Sequence, residues 1–177
     1  ENTLQVKDRV AVNKVPFLSR NIARGDVVVF RDPAGWLPEI VDYSTNKYVA
    51  KVKTGLVAVG VLPNPAKQYL VKRVIGVGGD RVVCCDKAGL LTVNGTAITE
   101  PYIFAGNKPS EMKFDVTVPK GKVWVMGDHR GASADSRYHQ DDINKGFVPL
   151  SRITGRVVAV IWPFKHITYV PQINVLK

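Results

Sequence analysis

Tyr69-Leu70-Val71-Lys72-Arg73-Val74-Ile75-Gly76-Val77-Gly78-Gly79-Asp80-Arg81-Val82-Val83 is two β-branched runs parted by a glycine-rich turn. Side chains branched at Cβ fit a pleated surface, and Gly-Asp supplies the tight turn that feeds a new strand. The same device recurs upstream. Lys7-Asp8 opens Arg9-Val10-Ala11-Val12, and Gly25-Asp26 opens Val27-Val28-Val29-Phe30. Three such starts, with few stretches of helical period, predict an all-β chain built as an antiparallel barrel or sandwich.

Further strands follow downstream. Leu91-Thr92-Val93-Asn94-Gly95-Thr96-Ala97-Ile98 sets Asn-Gly between apolar stretches, the pair that best takes the two positive φ angles of a two-residue hairpin. That reading outweighs its match to a glycosylation sequon. Phe114-Asp115-Val116-Thr117-Val118 alternates and stops at Pro119, Val123-Trp124-Val125-Met126 follows, and Arg156 to Trp162 is the longest buried-strand candidate. Between Asp32 and Asn64 the pattern changes. Val49, Val52, Leu56 and Val59 stand at helical spacing, which predicts a short helical insertion over about residues 40–62.

Composition narrows the function. The chain has 177 residues, 45% hydrophobic and 23% charged, so it is a folded unit with one sizeable core, or a compact core plus a lobe, rather than two large domains. No apolar run reaches the roughly 20 residues of a spanning helix. The net charge of +10 predicts attraction to an anionic surface. Because the basic residues are spread out and no nucleic-acid-reading motif is present, a membrane surface is the expected partner and nucleic acid is not. His129, His139 and His166 lack metal-ligand spacing, and no metal or other cofactor is expected. Cys84 and Cys85 are adjacent and close only a strained ring, so two reduced thiols on opposite strand faces are expected.

Two segments carry chemistry. In the opening stretch Lys72 stands between Leu70 and Val74 on one strand face. Apolar surroundings disfavour an ammonium ion, so a lysine buried there becomes a usable general base near neutral pH, while snorkelling to water is the plainer alternative. The second segment, Gly127-Asp128-His129-Arg130-Gly131-Ala132-Ser133-Ala134-Asp135-Ser136-Arg137, packs two Asp, two Arg and two Ser into eleven positions. Bidentate Asp-Arg pairs can hold such a loop rigid and leave a serine hydroxyl aimed at a neighbour, while a well-ordered structural loop without chemistry is the alternative.

Taken together these boxes resemble the type I signal peptidases, membrane-bound serine peptidases that remove signal peptides from exported proteins. Gly25-Asp26-Val27-Val28-Val29-Phe30 matches an early strand of that family. Lys72-Arg73 through Gly79-Asp80 matches its lysine box, and Gly127-Asp128-His129-Arg130 with Ser133-Ala134-Asp135-Ser136-Arg137 matches its most specific box. Departures are Gly78 where Pro is usual and His129 where Asn is usual. The family's nucleophile lies in Ser-Met-x-Pro-Thr-Leu, and Glu1-Asn2-Thr3-Leu4 aligns with the end of that motif, with Asn2 in place of Pro.

The resemblance implies a division of labour. Lys72 is the general base and Ser133 the hydroxyl that orients its amine. Asp128, Arg130, Asp135, Ser136, Arg137 and Arg73 shape the site, while Thr3, Leu4, Leu70 and Val71 bind substrate of the Ala-x-Ala type. It also implies a catalytic β core of residues 1–82 and 124–177 with a smaller lobe inserted over 83–123. The nucleophilic serine is expected two positions before Glu1 and the membrane anchor further upstream, so the given chain alone is expected to be inert. The location implied is the outer face of a bacterial cytoplasmic membrane. Two rival readings are a non-catalytic homologue that binds peptides or scaffolds a membrane complex, and a self-cleaving Ser/Lys repressor. The Gly127 to Arg137 box counts against the repressor.

Overall fold

The structure is a computed structural model that describes residues 3–5, 7–14, 22–38 and 68–175. The helical insertion expected over residues 40–62 lies outside the described residues. Among the described residues there are eleven strands: β1 (Arg9–Asn13), β2 (Val27–Arg31), β3 (Tyr69–Val77), β4 (Arg81–Cys84), β5 (Leu91–Val93), β6 (Thr96–Ala97), β7 (Phe114–Thr117), β8 (Lys122–Met126), β9 (Val148–Pro149), β10 (Ile153–Trp162) and β11 (Thr168–Tyr169). The helical elements among the described residues are short 3₁₀ turns, including Arg130–Ala132, Ser136–Tyr138 and Phe164–His166.

The turns form where the turn chemistry predicts. Lys7, Gly25 and Gly79 each take positive φ just ahead of the aspartate that begins a strand. Asn94 and Gly95 both have positive φ, at 54° and 81°, in the two-residue connection of β5 to β6.

Two antiparallel sheets result. The larger runs β1-β10-β2-β3-β8-β9, with β11 added to β10, and the smaller runs β6-β5-β4-β7. The larger sheet stays open, with β1 and β9 at the ends of its path, so of the two expected forms the sandwich-like one holds and the closed barrel does not. All four strands of the smaller sheet fall in sequence between β3 and β8, neighbours in the larger one.

Strand alternation explains how one sheet serves two cores. On one face of β3 and β8, Leu70, Val74, Val123 and Val125 pack with Val28, Phe30, Trp36, Val148 and Ile153. The opposite face supplies Ile75, Trp124 and Met126, which pack against Val82, Leu91, Val93, Ile98 and Phe114 of the smaller sheet and the hairpin beside it. Each of these buried side chains contributes about 2 kcal/mol relative to exposure. A third cluster joins Val27, Val157 and Val170 to Leu4, Val29 and Val71, and this one borders the site.

One expectation is corrected. Cys84 and Cys85 are not free thiols but form a disulfide, with S–S 1.97 Å and Cα–Cα 3.0 Å. Neighbouring side chains take opposite faces only while both residues belong to the strand. Cys84 is the last residue of β4, so Cys85 lies outside the strand and is not held to the opposite face. Among the described residues no helix is long and apolar enough to cross a membrane.

Candidate active site

The lysine strand lies between two partners. β3 pairs with β2 so that Lys72 faces Val28 and Arg73 faces Val27, and it pairs with β8 so that Arg73 faces Met126. Because β8 ends at Met126, the polar loop begins beside Lys72 and Arg73. The turn Arg130–Ala132 then brings the chain back, and the Lys72 amine donates to the Ser133 hydroxyl at 2.6 Å. Ser133 is buried and Lys72 half-buried. Gly127 permits this approach. A Cβ there would fall 2.2 Å from Ser133 Oγ and 3.7 Å from Lys72 Nζ, so a side chain would displace the hydroxyl.

Three ion pairs fix the loop. Arg73 is 2% exposed and grips Asp128 with two parallel bonds, Nε to Oδ1 at 2.9 Å and Nη2 to Oδ2 at 2.7 Å. Its remaining nitrogen donates to the Gly25 carbonyl at 2.8 Å, and the Tyr102 ring lies 4.0 Å beneath the guanidinium. Arg137 holds Asp135 in the same bidentate manner, with both side chains fully buried. Asp135 also accepts from the Gly127 amide at 2.9 Å, and Ser136 Oγ accepts from the Val125 amide at 2.9 Å. Arg130 reaches out of the loop to Glu100 of the segment after the hairpin, and to the Pro109 carbonyl.

Electrostatics follow from this enclosure. Burial disfavours the charge on Arg130, but the Glu100 carboxylate beside it outweighs that effect and raises the guanidinium pKa. Burial first, and the negative Glu100 next, push the Tyr102 phenol well above its ordinary value, so it remains a neutral donor to Glu100 at 2.9 Å. Buried charges are tolerated here because each is paired and hydrogen-bonded.

Around the Lys72–Ser133 pair a cleft opens. Thr3, Leu4, Val27 and Val71 line it from one side, and Gly127, Asp128, His129 and Ala132 from the loop side. Thr3 is tied in place, its hydroxyl donating to Asp128 Oδ2 at 2.6 Å and accepting from Arg73 at 3.2 Å. Of the residues expected to bind substrate, Thr3, Leu4 and Val71 border the cleft, whereas Leu70 is turned into the core with Val28, Phe30 and Trp36. The sequence reading confined the ion pairs to the loop itself. It missed Glu100 and Tyr102, whose one visible signal is that Glu100 is the sole acid between Asp86 and Glu111. Among the described residues no group of three or more His, Cys, Asp or Glu is placed to hold a metal.

A lysine amine set against a buried hydroxyl at an open cleft, in a scaffold of two antiparallel sheets, puts this chain in the class of β proteins organised around a lysine–serine pair. The pattern of the family described as signal peptidase, peptidase S26 matches residues 1–162, and the chain belongs to that family. A probable signal peptidase I of Mycobacterium leprae is 38% identical over 89% of this chain and 62% of its own length. Signal peptidase I of Mycobacterium tuberculosis is 39% identical over 96% of this chain and 62% of its own length. The chain thus spans a little under two thirds of these relatives. Among solved structures, signal peptidase I of Enterococcus faecalis V583 is similar with a TM-score of 0.47 and 23% identity, covering 76% of this chain and 95% of that one.

Proposed function

We propose that the protein is a serine endopeptidase of the Ser/Lys dyad type that removes N-terminal signal peptides from exported preproteins. The observation that carries this reading is the 2.6 Å contact between Lys72 Nζ and Ser133 Oγ inside a cleft bordered by Leu4, Val27 and Val71. The relatives named signal peptidase I support it.

In this reading Lys72 is the general base and Ser133 orients its amine. The nucleophile is the serine that the family motif sets two positions before Glu1, and the bonds of Thr3 to Asp128 and Arg73, which hold Thr3 at the cleft that Lys72 also lines, support this reading. A neutral Lys72 amine takes the proton of the serine hydroxyl, and the serine oxygen bonds to the carbonyl carbon at the cut. The tetrahedral adduct collapses as the ammonium returns that proton to the leaving amine. Lys72 then takes a proton from water, whose oxygen attacks the ester carbon, and the ammonium returns that proton to the serine oxygen as the ester bond breaks and the signal peptide is freed. Asp128, Arg130, Asp135, Ser136, Arg137 and Arg73 keep the loop rigid and make no bonds to substrate.

Substrate is an extended peptide with small side chains in an Ala-x-Ala pattern before the cut, accommodated by the aliphatic wall of Leu4, Val27 and Val71. Residues 83–123, which contain most of the smaller sheet, act as the inserted lobe on a core of residues 1–82 and 124–177. The working place is the outer face of a bacterial cytoplasmic membrane. Supporting that, Trp162, Phe164, Ile167 and Tyr169 are exposed beside Lys165, a mixture suited to a lipid headgroup region.

The test is cleavage of an Ala-x-Ala peptide by the full-length protein. Native protein is expected to cut after the second Ala, and Lys72→Ala to lose at least about a thousandfold in kcat, within the range of general-base removal. Retained turnover in Lys72→Ala overturns the dyad.

A further inference from the structure

His129 has no part in the scheme above, yet it borders the same cleft as Lys72 and Ser133. Its ring lies flat on Phe104, with centroids 4.5 Å apart and planes 16° from parallel. Phe104 is itself pinned to the loop, its amide donating to the Asp128 carbonyl at 3.0 Å. The imidazole is therefore fixed in orientation by a side chain from the inserted segment.

The two ring nitrogens differ. Nδ1 is enclosed and has no hydrogen-bond partner, whereas Nε2 is not enclosed. A buried N–H without an acceptor is disfavoured more than a buried lone pair without a donor. The neutral ring accordingly keeps its proton on Nε2 and presents an N–H donor outward. The cleft is asymmetric about the Lys72–Ser133 pair, aliphatic where Leu4, Val27 and Val71 lie and polar on the loop side where His129 lies.

We propose that His129 is a specificity residue that donates from Nε2 to an acceptor side chain, a carboxamide or carboxylate, on the residue that follows the cut. This rests on the peptidase reading above, in which the aliphatic wall takes the small side chains before the cut; the residue after the cut then falls toward the opposite, loop side of the cleft. A neutral hydrogen bond of ordinary net strength gives about a three- to tenfold preference.

The experiment uses full-length protein and four peptides with the same Ala-x-Ala segment, followed by Gln, Glu, Leu or Lys and an identical remainder. Native protein is expected to show kcat/KM for Gln and Glu about three- to tenfold above Leu, with Lys lowest. His129→Phe keeps the aromatic stack on Phe104 and removes the donor, and its Gln-to-Leu ratio is expected to fall within about twofold of one. His129→Gln restores a donor and is expected to recover the ratio. A native Gln-to-Leu ratio of one, or a high ratio that persists in His129→Phe, overturns the inference while leaving the peptidase reading intact. Failure to cut any of the four peptides removes the peptidase reading, and this inference with it.

Discussion

The Lys72 amine donates to the Ser133 hydroxyl across 2.6 Å, joining the middle of β3 to a loop 61 residues further along the chain. If Ser133 orients the amine without reacting, Ser133→Ala is expected to lower kcat about a hundredfold, at the lower end of general-base contributions, with little change in KM. Ser133→Thr keeps the hydroxyl and is expected to recover part of the loss. Steady-state kinetics on an Ala-x-Ala peptide decide it. A Ser133→Ala protein with native kcat shows that the contact is only structural.

Gly127 has no room for a side chain. Its Cβ would lie 2.2 Å from Ser133 Oγ and 2.5 Å from Ser133 Cβ, and relief requires the serine to swing away from Lys72. Gly127→Ala is expected to lower kcat at least about tenfold while shifting stability by roughly 1 to 3 kcal/mol, as overpacking does. Unfolding melts and kinetics measured side by side check this. Full activity in Gly127→Ala shows that the hydroxyl's position does not matter.

The parts legible in the sequence were those encoded locally. Lys7, Gly25, Gly79 and the Asn94-Gly95 pair take positive φ where turn chemistry demands it, and the alternation of β3 and β8 places Val74 and Trp124 on opposite faces. The motif boxes named Lys72, Ser133, Arg73 and Asp128, which the fold brings together. What remained hidden was long-range pairing. Glu100 meets Arg130 across 30 residues, and Tyr102 lies under Arg73 across 29, contacts that no local period encodes. The Cys84–Cys85 bridge was hidden because strand alternation ends with β4 at Cys84 and no longer sets the direction of Cys85.

Glu100 is expected to matter more for stability than its absence from the motif boxes implies. Its carboxylate pairs with Arg130, which is 2% exposed, and accepts from the Tyr102 hydroxyl. Glu100→Ala leaves a buried guanidinium without its counter-charge and is expected to cost about 3 to 5 kcal/mol. Glu100→Leu combined with Arg130→Met removes both charges and is expected to recover much of that loss. Denaturant midpoints of the native, single and double variants form the test, and a Glu100→Ala protein of native stability refutes it.

The exposed side chains at the end of β10 give a prediction about lipid. Phe164 is 73% exposed and stacks edge-on against Trp162 at 4.6 Å, with Lys165 next in sequence. Replacing Phe164 and Trp162 by Ala is expected to weaken sedimentation with anionic vesicles at least about tenfold, because burying one such ring contributes roughly 1.5 to 3 kcal/mol. Added salt is expected to weaken the native protein's binding as well, through the basic surface. Equal sedimentation of native and double-Ala proteins excludes this face as the lipid contact.

Asp80 sets a pH dependence whose sign follows from its surroundings. Burial acts to raise its pKa, but bonds from Arg24 at 2.7 Å, the Val77 amide at 2.8 Å and Asn94 at 2.9 Å outweigh burial and hold it below the ordinary 3.8. A carboxylate depressed in the folded state contributes stability that is present above its unfolded pKa and is lost as pH falls through the folded one. Asp26 runs the other way: burial raises its pKa despite the Ala23 amide and Arg156, so its contribution declines as pH rises through the folded value. Asp80→Asn is therefore expected to melt below the native protein at about pH 7, and the gap between their Tm values to narrow as pH approaches about 3. Melting curves for both proteins across that range measure it. A gap that stays constant down to about pH 3 shows that the Asp80 charge contributes nothing to stability.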